Sequence, residues 1–212
     1  MRVRVVVVAT LALVAVASAA VLSQRAPRLA GTNAIKHQHF VVELPPGRRA
    51  CQDHTLLVDD AARVELLVGT YGRPVPPLAV AFTGADGAPL ARGRGGGGPE
   101  GHVVVPLDRE IDGTRSARLC VRNGGATNIA LAGDLANPDA AAHVGRDAAD
   151  GAIAVRYLRR RDETWWELLP TLATRFGYGK AAVLGWWTLP AAALALLAVW
   201  AVTIRLLLRA VR

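Results

Sequence analysis

The chain has 212 residues, 52% of them apolar and 20% charged, with a formal net charge of +8. Two uncharged runs, Val5 to Gln24 and Ala181 to Ile204, lie near its ends. That distribution excludes a purely soluble cytosolic enzyme and a disordered tail protein, and also a multi-spanning transporter, which needs several more apolar runs of about 20 residues.

The position of the charges decides what they mean. Arg2 and Arg4 precede the first run, Arg205, Arg209 and Arg212 close the second, and neither tail carries an acid. All 17 acidic residues lie between the runs, beside the remaining 20 of the 25 basic ones. The central body is therefore close to neutral, and nucleic acid, the first partner a basic chain suggests, is not expected. Lys and Arg beside a span resist translocation, whereas long domains cross largely regardless of charge. Both tails are expected on the cytoplasmic side of a bacterial cytoplasmic membrane, with the main domain extracytoplasmic and the lipid bilayer as a partner. The scarcity of lysine (only Lys36 and Lys180) and the heavy use of Ala, Val, Gly and Arg fit a GC-rich bacterial genome.

Taken in chain order, residues 1–24 combine a basic start, an apolar stretch and the small-residue run Ala17-Ser18-Ala19-Ala20. They read either as a signal peptide cut after Ala19 or as an uncut transmembrane anchor, and both export the rest of the chain. Residues 25–38 show no period and read as a linker. Residues 39–158 change to short β-branched and apolar runs broken by Pro and Gly. Expected strands are 40–44, 55–58, 63–68, 78–82, 102–106, 117–122, 128–132 and 152–158, a pattern that predicts an all-β antiparallel sandwich or jelly roll. Cys51 and Cys120 are the only cysteines. In an exported body they are expected to form one disulfide, worth about 3 to 4 kcal/mol in the chain-entropy model.

In residues 159–180, Thr164-x-x-Glu167 fits a capping box, in which each side chain satisfies a free helix amide. Leu168, Leu169, Leu172 and Phe176 share an apolar face at helical spacing, with Pro170 a kink point. This predicts a juxtamembrane interfacial helix with Trp165 and Trp166 in the headgroup layer, against the alternative of a helix packed on the β domain. Residues 181–205 predict a C-terminal transmembrane helix with Trp186 and Trp187 at its outer end, and 206–212 a basic cytoplasmic tail.

The motifs that could carry chemistry are weak. Gly93-Arg94-Gly95-Gly96-Gly97-Gly98 matches GxGxxG, but no helix opens after it to hold a phosphate, so it reads as a mobile hairpin or crossover loop. Asp108 to Gly113 starts like a calcium loop, yet its twelfth position is Leu119 where a bidentate Glu is needed. Asp108 and Asp112 remain only as weak candidates for a different metal site, with a surface turn preferred. His37 and His39 with Asp53 and His54 offer zinc-type donors without motif spacing. Ser116 does not stand in a nucleophile elbow. No cofactor is expected, and the chain reads as a non-enzyme. All five Trp lie at or beyond position 165, so sugar recognition by stacking is weakened within the body while polar recognition through Arg and Asp is untouched. Tyr71 is the one aromatic in an expected loop, Gly69-Thr70-Tyr71-Gly72-Arg73-Pro74. Tyr71 and Arg73 are the candidate ligand contacts, against the alternative that Tyr71 packs beneath its own loop.

Between Tyr157 and Lys180 stand an arginine cluster, Asp-Glu-x-Trp-Trp, Leu-Leu-Pro-Thr, Arg-Phe-Gly and Gly-Lys, and then a terminal apolar run. In this stretch the chain resembles actinobacterial-type membrane-anchored envelope proteins encoded among polysaccharide and glycosyltransferase genes. The resemblance implies a setting, cell-envelope glycan assembly, and transfers no catalytic residue. The expected function is an anchored binding or scaffold protein whose partner is an envelope glycan or a membrane glycosyltransferase. The alternative is a small envelope enzyme acting on a glycan or lipid-linked substrate. A sensor is a third reading, but the tails are too short to hold an output domain.

Overall fold

The computed structural model describes residues 2–136, 140–175 and 187–210. They divide into two compact units, Pro27–Arg161 on one hand and Met1–Ala26 with Asp162–Arg212 on the other.

The first unit is almost entirely antiparallel β. Its strands are β1 (Ala26–Thr32), β2 (His39–Leu44), β3 (Arg49–Leu57), β4 (Arg63–Gly69), β5 (Leu78–Thr83), β6 (Pro89–Gly95), β7 (Gly101–Pro106), β8 (Arg115–Asn123), β9 (Ile129–Asp134), β10 (His143–Val144), β11 (Asp147–Ala148), β12 (Ala152–Ile153) and β13 (Arg156–Glu163). One sheet of seven strands runs β1-β13-β4-β9-β12, with β2 also on β9 and β7 also on β4. The other, of six strands, runs β11-β10-β3-β8-β5-β6. Alternation drives this arrangement: in β8, Ala117, Leu119 and Val121 are buried while Arg118 and Arg122 are exposed. Buried residues of both sheets form one core, in which the Phe82 and Tyr157 rings lie 6.1 Å apart. Two antiparallel sheets around a shared core agree with the expected sandwich class.

The expected disulfide is present. Cys51 and Cys120 are direct partners in the β3–β8 register, with Cα atoms 4.1 Å apart. The bond therefore crosses between neighbouring strands of one sheet.

Several boundaries differ from the sequence reading. The segment read as a linker, 25–38, carries strand β1 and the buried Asn33. Asn33 Nδ2 donates to the Ile153 carbonyl (2.8 Å), and its Oδ1 accepts from the Val155 amide (3.0 Å). A segment whose partner lies about 120 residues away shows no local period, which is why it reads as irregular. The glycine run is not wholly a loop either, because Gly93-Arg94-Gly95 belongs to β6. A Cβ at Gly93 would collide with the Pro106 carbonyl oxygen, so glycine is what lets β6 approach the end of β7. The expected strand 152–158 is split into β12 and β13, and residues 159–163, placed by sequence in the juxtamembrane helix, complete β13.

The second unit is helical. Helix α1 (Arg2–Leu22) contains an 18-residue stretch, Val5–Leu22, that is long and apolar enough to cross a membrane and has no buried residue. Helix α2 (Trp165–Arg175) opens on the expected capping box: Thr164 Oγ1 accepts from the Glu167 amide (3.2 Å), and Glu167 Oε2 accepts from the Thr164 amide (2.7 Å). Trp165, Trp166, Leu169 and Leu172 are exposed along it. Trp166 Nε1 donates to Ser23 Oγ (3.1 Å). Phe176 and Trp186 lie outside the described residues. Helix α3 (Thr188–Ala210) has an apolar stretch, Pro190–Leu206, shorter than that of α1. At 1.5 Å per residue it reaches roughly 25 Å, less than a hydrocarbon core of about 30 Å. The expected span over 181–205 is thus described only from Trp187 onward.

Candidate functional site

The outer face of the six-stranded sheet carries a groove of about 620 Å³. Register builds it. Arg49 on β3 stands opposite Arg122 on β8, Arg122 opposite Ala79 on β5, and Ala79 opposite Arg94 on β6. The next row is Cys51, Cys120, Ala81 and Arg92. Arg49 and Arg122 line one bank, Arg92 and Arg94 the other, and the two alanines of β5 leave the trough between them. All four arginines are exposed, while Ala79, Ala81 and Cys120 are half-buried. Among the described residues none of these four guanidinium groups forms a salt bridge. The acid on the rim, Asp108, is already engaged: its Oδ1 accepts from the Arg92 amide (2.9 Å) and lies 3.8 Å from Arg109 Nε.

Sequence reasoning passed over Arg49, Arg92, Arg94 and Arg122. The available signal was the spacing of two in Arg92-x-Arg94 and Arg118-x-Cys120-x-Arg122, which puts these side chains on one face of a strand. Reading the glycine run as a loop concealed the first pair.

Tyr71 and Arg73 line a separate depression of about 380 Å³ with Thr70, Ala126, Thr127 and Asn128. Tyr71 does not pack beneath its loop: it is 73% exposed, with a left-handed backbone at φ 57°. That conformation is uncommon for a residue with a Cβ and carries strain. Glu100 holds the loop by accepting from the Thr70 and Gly72 amides, both at 3.1 Å. Those bonds, Gly72 first, keep the Glu100 carboxyl below its usual pKa. The buried Thr70 hydroxyl donates to the Arg73 carbonyl, closing the turn.

The four histidine-region donors do not converge. Asp53 pairs with Arg118 (3.3 Å), His54 occupies a left-handed position beside the β3 bulge, and His39 pairs with Gly133 at the start of β2. His37 instead lies near His102, their rings 6.2 Å apart. The buried Glu65 carboxylate joins His102 Nδ1 at 2.9 Å and Arg156 Nη1 at 3.2 Å. Burial first, then the neighbouring His102 and Arg156, lowers the His37 pKa. Asp112 lines a small pocket with Ile111 and Arg115, away from the bond Asp108 makes to Arg92. Among the described residues no group of three or more His, Cys, Asp or Glu is arranged to hold a metal ion.

Chemically, the groove offers four permanent cations to an incoming anion, and the Glu65–His102 pair offers an imidazole oriented by a carboxylate. No family model matches this chain, and no curated protein does.

Proposed function

We propose that this protein is a membrane-anchored extracytoplasmic binding or scaffold protein of the bacterial cell envelope, accessory to envelope glycan assembly and acting without catalysis. The observation that carries this reading is the union in one chain of an apolar helix with no buried residue and a disulfide-bonded two-sheet body with an open groove. An exposed apolar helix of this length is satisfied by lipid. A disulfide persists where the surroundings are oxidising, as outside the cytoplasmic membrane. A groove open along a sheet face suits an extended ligand. The resemblance around Asp162 to Trp166 supplies the glycan setting, and α1 and the run 181–205, which α3 represents in part, are both read as spans, with the basic tails inside.

The test is purification of the full chain from membranes in mild detergent, with mass analysis of the molecules that accompany it. Co-purification of an envelope glycan or a membrane glycosyltransferase is expected. Recovery of the chain from the soluble fraction with neither partner would defeat the reading.

The alternative, a small envelope enzyme acting on a glycan or lipid-linked substrate, is favoured by one observation, the His102 imidazole held by Glu65. It requires that His102→Ala abolish turnover of such a substrate while leaving the fold intact.

A further inference from the structure

We propose that the groove on the six-stranded sheet is a polyanion site, and that its ligand is an acidic polysaccharide bearing carboxylate or phosphate groups. The glycan half of this assignment rests on the function proposed above. The anionic half rests on the groove.

Three features of the groove carry it. Arg49 and Arg122 are direct cross-strand partners. Like charges so placed repel and destabilise a sheet, and among the described residues neither has a carboxylate to relieve it. An anion lying over both removes the repulsion. Second, the two banks are two strand spacings apart, about 10 Å, while Arg92 and Arg94 succeed each other at about 7 Å along β6. Successive anionic groups of one chain can therefore be met by separate guanidinium forks, whose planar geometry matches carboxylate and phosphate. Third, the lining holds no aromatic residue. Unstacked nucleic-acid bases rely on aromatic platforms, and a neutral sugar would find no ring to stack on here, so the groove's distinctive chemistry is its charge. A trough floored by Ala79 and Ala81 admits a single slender chain between its banks, whereas a bilayer presents a plane.

The experiment uses the full chain in non-ionic detergent and measures equilibrium binding of polygalacturonate, its methyl ester and poly(glycerol phosphate). Phosphatidylglycerol vesicles and oligothymidylate run beside them. At least one acidic polymer is expected to bind, more weakly as salt is added, and the neutral methyl ester is expected not to bind. The double variant Arg92→Gln/Arg94→Gln should weaken binding roughly tenfold or more, the scale of a lost charge-assisted hydrogen bond. Asp108→Asn should tighten it, because it removes the rim charge and keeps an acceptor for the Arg92 amide. Lys36→Gln, a charge outside the groove, should change nothing, and melting temperatures establish that each variant is folded. Equal binding of the methyl ester, or binding indifferent to the groove variants, overturns the anionic assignment and leaves the glycan function standing. Arginine-dependent binding confined to vesicles or oligothymidylate overturns the polysaccharide assignment, while the glycan function stands or falls on the co-purification test above. Failure of both acidic polymers to bind overturns the inference.

Discussion

At the scale of single residues, one buried side chain and one exposed carboxylate lead to measurable consequences. Tyr157 is fully buried, and its hydroxyl has no hydrogen-bond partner among the described residues. Burial pushes its pKa far up, so it stays neutral. An unsatisfied buried hydroxyl costs about 1 to 3 kcal/mol. Tyr157→Phe is therefore expected to leave stability unchanged or raise it by about 1 kcal/mol, measured by urea unfolding of the detergent-solubilised protein. A loss of more than about 1 kcal/mol would show that the hydroxyl has a partner. Glu100 acts in the opposite direction. Its folded-state pKa is lowered, so its contribution is present above the ordinary carboxylate pKa and is lost as pH falls through the lowered folded value. The Thr70 and Gly72 amide resonances are expected to titrate together at a midpoint below the usual carboxylate value, and Glu100→Gln should abolish that titration. Since Glu100 fixes the turn that displays Tyr71, acid should also loosen this loop.

At the scale of elements, β1 shows how a strand can be set by distant bonds. Its APRLAGT sequence has little apolar periodicity, and the turn after it is fixed by Asn33 reaching the β12–β13 connection. Asn33→Ala would leave the Val155 amide and the Ile153 carbonyl without their side-chain partner. A loss of about 2 to 3 kcal/mol in global stability is expected, with hydrogen exchange in β1 accelerating most. If 25–38 were a passive linker, the substitution would be silent. β6 carries the same lesson for the groove. Arg92 and Arg94 face outward by strand alternation, and Gly93 between them permits the close approach to Pro106, so a glycine that makes this stretch look like a loop fits it to be a strand. In α2 the local code was sufficient: a capping box needs only a Thr and a Glu three residues apart, and it formed as expected.

At the scale of the whole molecule, the disulfide links strands already joined by the β3–β8 ladder, and it spans 69 residues of sequence. Its main effect is on the unfolded chain, which it confines. Cys51→Ser/Cys120→Ser is expected to lower unfolding free energy by about 4 kcal/mol in the chain-entropy model. The ladder should keep the folded sheet in place, so circular dichroism in water should be unchanged while the urea midpoint falls. A midpoint that does not move would mean that the unfolded ensemble is already compact without the bond.

Much of this protein is dictated by local order in the chain. Apolar run length yields the exposed N-terminal helix, alternation yields most strands and the two-sheet class, and Cys51 with Cys120 yields the bond. These are one-dimensional signals, each read within a few residues or from a simple count. The groove is different in kind. Arg49, Arg92, Arg94 and Arg122 come from three strands, and only strand order and register place them on one face across Ala79 and Ala81. The pairing of His102 with Glu65, and of Asn33 with Val155, likewise depends on strands that meet from far apart in the chain. Sequence determined which faces are apolar, because burial tracks the period of each strand. Tertiary structure decided which charges meet, because register is set by the packing of whole sheets.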